Sequence, residues 1–157
     1  MIPDLGLLSL SGALALAILL SIVPLAGIYC RRALLIRYAA PLSYGVCLLI
    51  TLSISFLGYS FATDDFSVMY VAQHSNSQLP LFFKVAAVWG GHEGSMLFWL
   101  FSLSIWTALV AALRSRMDRQ INSTVLAILG LIMVGFCLFI LLYSNPFERV
   151  FPAPMEG

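Results

Sequence analysis

The sequence predicts an all-α integral membrane helical bundle of about four transmembrane helices with one outward interfacial loop. Two observations carry this. Of the 157 residues, 61% are hydrophobic and only 10% charged, against roughly half and a quarter in a soluble domain, so too few charges remain to cover a water-facing surface. The charges are also clustered. Leu5–Cys30 (26 residues), Tyr38–Thr63 (26), Gly94–Leu113 (20) and Gln120–Phe147 (28) carry none. Each stretch is long enough to cross a hydrocarbon core of about 30 Å, which takes about 20 helical residues. Lipid satisfies no free backbone groups and the alternation of a barrel strand is absent, so the spans are helices. With 8 Lys+Arg against 7 Asp+Glu and no basic stripe, no nucleic acid partner is expected; the partner that composition demands is membrane lipid.

The first span is placed at 6–29. A secretory signal would begin with basic residues and hold a shorter apolar run, whereas this chain opens Met1-Ile2-Pro3-Asp4. Ser9, Ala13, Ala17 and Ser21 recur every fourth residue, a small-residue stripe suited to close helix packing. Arg31, Arg32 and Arg37 follow, then the second span at 40–62. The third and fourth spans, at 95–113 and 122–143, are joined by a connection bearing Arg114, Arg116 and Arg119. Six of eight basic residues thus share one face, which the positive-inside rule assigns to the cytoplasm. Both termini and the long middle loop then face outward, with six of the seven acids, Glu156 among them. The whole reads as one transmembrane domain, 1–157. Cys30, Cys47 and Cys137 form neither a C-x-x-C pair nor a C-x-x-C-H haem attachment site.

The outward loop carries most of the functional information. Leu79 to Trp89 is apolar and aromatic but only 11 residues long, about 16 Å as a helix, so it is expected to be an interfacial or re-entrant segment with Phe82, Phe83 and Trp89 at headgroup depth and Pro80 in its first turn. Trp89-Gly90-Gly91-His92-Glu93-Gly94-Ser95 follows. Three glycines in five positions weaken any helix, so they call for positive φ or a close backbone approach to something bulky. Ser95 is a candidate cap for the third helix, whose N-terminus would favour a carboxylate-bearing ligand. His92 reads first as a hydrogen-bonding residue pinning the loop, with Glu93 as charge partner or cap, and second as a metal ligand; His74 is 18 residues away in a polar stretch. Ser95, Trp99, Ser102 and Trp106 share one side of the third helix, either as packing or as an aromatic wall for a flat apolar ligand. No Asp, Glu, Lys, Arg or His lies inside the spans as placed, which counts against a proton or ion pathway.

Two runs, PLFFKVAAVWGGHEGSMLFW over 80–99 and SNPFERVFPAP over 144–154, resemble the N-terminal part of the CcmF/NrfE family of cytochrome c-type biogenesis proteins, as does the opening of the chain. Trp89, Gly90, Gly91, His92, Glu93, Gly94 and Ser95 match the family's W-G-G-H-E-G-S segment, and Asn145, Pro146, Phe147, Glu148 and Arg149 its N-P-F-E-R segment. The resemblance implies a part in the cytochrome c haem lyase of the bacterial inner membrane, which attaches haem to apocytochrome c on the periplasmic side. It implies haem as cofactor of the full-length protein, and as partners apocytochrome c and other maturation proteins including a haem carrier. In the family the tryptophan-rich haem platform and the haem-ligating histidines lie further along, so the chain looks like an N-terminal fragment. It names Trp89 to Ser95 as the cofactor-facing segment. The alternative is a small polytopic transporter or ion-translocating subunit.

Overall fold

A computed structural model describes residues 1–116, 118–152 and 154, with the side chains of Arg114 and Ser115 left aside. Glu156 and the Ala153 of the second motif lie outside the described residues. Seven α-helices follow in order: α1 (Ile2–Tyr29), α2 (Ala33–Arg37), α3 (Ala39–Ala62), α4 (Met69–His74), α5 (Leu81–Ala87), α6 (His92–Ala112) and α7 (Arg119–Tyr143). A 3-10 turn, Leu113–Arg116, joins the last two. Helices α1, α3 with α2, α6 and α7 are long and apolar enough to span a membrane. The chain is a multi-pass helical membrane protein, as the charge gaps predict. The spans begin somewhat earlier than placed, at Ile2, Ala39, His92 and Arg119, so Asp4, His92, Glu93 and Arg119 sit inside helical first turns.

The bundle is held by one repeated pattern. In α1 the buried residues Pro3, Gly6, Leu10, Ala13, Ala17, Leu20, Pro24 and Gly27 advance by alternating steps of three and four. So do Ser43, Val46, Ile50, Ser53, Leu57 and Ser60 in α3, and Ser123, Leu126, Gly130, Met133, Cys137 and Ile140 in α7. Such a repeat keeps one seam facing its neighbours and gives shallow, left-handed crossings. The expected stripe at every fourth residue is corrected accordingly. Ala13, Ala17 and Ser21 are buried, but Ser9 is only partly so and donates to its own helix at Leu5 O (2.8 Å). A four-residue period drifts quickly around a helix of 3.6 residues per turn, and the three–four alternation much more slowly, by about 20° per seven residues. Close approach is set by glycine: a Cβ on Gly130 would sit 3.0 Å from Leu20 Cγ, and one on Gly6 2.3 Å from the Phe147 ring.

Helices α1 and α3 end alike. Arg32 N donates to Gly27 O (2.9 Å) and Arg31 N to Ile28 O (3.2 Å), with Arg31 at φ 54°. Asp65 N donates to Ser60 O (3.0 Å) and Asp64 N to Phe61 O (3.4 Å), with Asp64 at φ 53°. Both are Schellman endings that use a non-glycine residue in the left-handed position. Asp118 caps the start of α7, accepting from Gln120 N (2.8 Å) and Ile121 N (3.3 Å). The antiparallel run of spans places the two arginine-bearing connections at one end of the bundle. The long loop, the start of α1 and the tail after α7 meet at the other.

Candidate functional site at the outward end

The loop holds two short helices, of which only the second falls in the Leu79–Trp89 stretch expected at the interface. Helix α5 covers only Leu81–Ala87, with Pro80 at its N-cap rather than in its first turn. Helix α4, in the polar stretch before it, buries Tyr70 and Val71. The tail is stitched to this loop: Met69 N donates to Glu148 O (2.8 Å) and Val150 N to Ser67 O (2.9 Å). Arg149 reaches Asp4 through two hydrogen bonds, Nε to Oδ1 (3.2 Å) and Nη2 to Oδ2 (2.5 Å). Phe147 packs into the space Gly6 leaves.

Tyr70 organises the segment from Trp89 to Ser95. Its hydroxyl donates to Val88 O (3.1 Å) and accepts from Gly91 N (2.9 Å). Burial pushes the Tyr70 phenol above its ordinary value, and the charge of Glu93 adds to this against the opposing amides of Gly91 and Gly94. The glycines now have their reason. A Cβ on Gly91 would lie 2.6 Å from His74 Nε2 and 2.7 Å from the Tyr70 ring; one on Gly94 would lie 1.7 Å from Val88 O. No glycine among the described residues has positive φ, so close approach is the operative cause at Gly91 and Gly94. Gly90 meets only its own turn, at 3.4 Å from Ala87 O.

Gly91, not Ser95, is the N-cap of α6, and no side chain caps that end. The helix starts a turn earlier than expected because Gly91 in extended backbone already frees the next residues to coil. Ser95, in the second turn, donates to Trp89 O instead (2.8 Å). His92 Nδ1 bonds Ser144 Oγ (2.9 Å), joining the start of α6 to the end of α7, and its ring meets Phe139 edge-on at 6.0 Å. That is the pinning role read from the sequence. Glu93 lies in the first turn of α6, where the helix dipole favours it, and forms no ion pair among the described residues.

The aromatic groups are placed outside the packing. Trp89 tilts against Phe98 (5.7 Å between rings) and Phe82 lies edge-on to Phe83 (5.8 Å). Trp99 and Trp106 are each 67% exposed, so packing against a neighbour within these spans is overturned; the buried side of α6 is Gly94, Leu97, Leu100, Ser104, Thr107 and Ala111. Below His92 an apolar groove of about 400 Å³ runs between α6 and α7, lined by Met96, Ile132, Gly135, Phe136 and Phe139.

Three contributors are not singled out as site residues by the sequence: Tyr70, Ser144 and the ion pair between Lys84 and Asp64. Lys84 Nζ lies 2.5 Å from Asp64 Oδ2 with its side chain 8% exposed. Only a fold that turns α5 back over the end of α3 brings these together.

Among the described residues no three His, Cys, Asp or Glu converge. His74 is spent on Tyr70, with Nδ1 at 3.1 Å from Tyr70 O and its ring against the phenol. The space the glycines leave is filled by protein.

Fold and site together define a polytopic helical membrane protein with an aromatic-rimmed outward end. Within that class the chain is homologous, along its whole length, to the CcmF/NrfE family of cytochrome c-type biogenesis proteins. It is 58% identical over 157 residues to the cytochrome c-type biogenesis protein NrfE of Haemophilus influenzae, covering all of this chain and 25% of that protein. It is 42% identical over 158 residues to CcmF of Escherichia coli, covering all of this chain and 24% of that one. The solved structure of the cytochrome c heme lyase CcmF matches with a TM-score of 0.88 at 29% identity, over 94% of this chain and 25% of that one. The chain thus spans about a quarter of the length of these relatives. No protein-family model matches.

Proposed function

We propose that the chain acts in cytochrome c maturation, as part of the membrane haem lyase that attaches haem to apocytochrome c on the periplasmic side of the bacterial inner membrane. The observation that carries this is the match, across nearly all of the chain, to the solved heme lyase CcmF. In this reading the six arginines mark the cytoplasmic end and the tail, loop and start of α1 the periplasmic end. The share of the work falling to these spans is a surface. Trp89, Phe82, Phe83, Trp99 and the groove beside His92 present flat apolar area, which suits a macrocycle or the segment of chain that carries one. The Tyr70 bonds and Gly91 and Gly94 fix where that surface stands. Iron ligation belongs to residues outside these 157, and the haem carrier and apocytochrome c are the partners that would meet the aromatic rim. No observation favours an ion-translocating subunit.

The test is made in the full-length protein, by replacing Trp89 with Ala and, separately, Gly91 with Ala, and measuring covalently haem-stained cytochrome c together with the amount of lyase in the membrane. Maturation is expected to fall with Trp89→Ala at unchanged protein level, and with Gly91→Ala through displacement of Tyr70 and His74. Normal maturation in both variants overturns the proposal.

A further inference from the structure

The arginine-bearing end of the bundle holds a cavity of about 560 Å³ between the α2–α3 turn and the start of α7, lined by Ile36, Arg37, Pro41, Arg119, Asn122 and Ser123 among others. Its polar groups differ in one respect. Asn122 Nδ2 donates to Val110 O (3.0 Å) and Ser123 Oγ to Ile36 O (3.4 Å), so both are committed to holding α7 against its neighbours. Asp118, the acid next to Arg119, has its Oδ1 committed to the cap of α7. Arg37 and Arg119 have no ion-pair partner among the described residues, although Lys84 and Arg149 at the other end both do. Two guanidinium groups flank a cavity at the edge of the apolar spans, where lipid phosphates lie. Guanidinium presents forked donors that match two oxygens of a phosphate.

We propose that this cavity binds the phosphate of an anionic phospholipid headgroup, held between Arg37 and Arg119. Basic pockets between transmembrane helices on the leaflet that gathers Lys and Arg are suited to such headgroups. Arg31 and Arg32, also at this end, do not line the cavity and contribute only to the general surface potential.

The full-length protein is reconstituted in nanodiscs of phosphatidylcholine with and without phosphatidylglycerol, and lipids retained after detergent extraction are counted by native mass spectrometry. Retention of phosphatidylglycerol over phosphatidylcholine is expected, falling about tenfold in Arg37→Gln/Arg119→Gln and little in Arg31→Gln/Arg32→Gln. A loss as large in the second pair, or no loss in the first, overturns the proposal. Displacement of the bound lipid by millimolar inorganic phosphate assigns the cavity to a free anion and overturns the lipid. On the unsubstituted protein, phosphatidylglycerol carrying a photoreactive headgroup should label 36–41 or 119–123; labelling confined to other segments overturns the proposal whether or not the variants fold.

Discussion

The Tyr70 hydroxyl stands 2.9 Å from Gly91 N and 3.1 Å from Val88 O, joining α4 to the backbone that enters α6. Tyr70→Phe keeps the ring and removes both bonds, leaving a partly buried amide and carbonyl unsatisfied at a cost of about 1–3 kcal/mol. Amide hydrogen exchange at Gly91 should quicken in this variant while exchange in the middle of α3 stays unchanged.

The same hydroxyl gives a pH dependence. Its value is raised above the ordinary 10.0 in the folded chain, so the folded state holds this proton more tightly than the unfolded one. The associated stability is complete below pH 10 and is lost as pH rises through the folded value. A difference absorbance titration of the protein against Tyr70→Phe should show one phenol ionising above pH 10, with the unfolding midpoint falling over the same interval.

Gly94 and Gly90 should respond unequally to alanine. A Cβ at Gly94 would meet Val88 O at 1.7 Å, within backbone that cannot yield, whereas at Gly90 the nearest atom is 3.4 Å away. Gly94→Ala is expected to cost about 3 kcal/mol or more by overpacking, read as loss of folded protein in detergent, and Gly90→Ala to change yield little.

Lys84 and Asp64 are worth more together than either alone. Lys84→Met leaves the Asp64 carboxylate, and Asp64→Asn leaves a buried ammonium, each at about 3–5 kcal/mol. The double variant should recover part of the loss. Single variants no less stable than the double, by thermal unfolding in detergent, would show the pair to be dispensable.

Arg31 holds a left-handed φ of 54° at the end of α1 and is exposed. Glycine adopts that conformation without strain, so Arg31→Gly should stabilise by about 0.5–1 kcal/mol in thermal unfolding. Asp64, at φ 53°, should not behave in this way, because its carboxylate holds Lys84.

What the sequence disclosed and what it hid divide along the range of the interactions. Charge gaps place α1, α3, α6 and α7 to within a few residues, because exclusion of charge from hydrocarbon acts on each residue separately. The three glycines announce a crowded backbone for the same reason: the penalty they carry is local. Of the groups crowding Gly91 and Gly94, Tyr70 and His74 stand about twenty residues earlier in a stretch with no periodic signal. Likewise the bond from His92 to Ser144 spans 52 positions, and neither residue alone indicates the other. Ser95 misled because a serine after glycine has the composition of a cap, while the extended Gly91 had already begun the helix. The Trp99 and Trp106 stripe is legible as a stripe; which way it faces depends on the seam that Gly94, Leu97, Ser104 and Thr107 present to the other helices.

The seat that Gly6 leaves for Phe147 also sets a timetable. The two residues are separated by 141 positions, and a ribosome adding 5–20 residues per second needs roughly 7–28 s to make the second after the first. Throughout that interval the entrance of α1 waits with an unfilled notch. The outward end therefore closes only once residues 144–150 are made, well after the helix whose notch they fill.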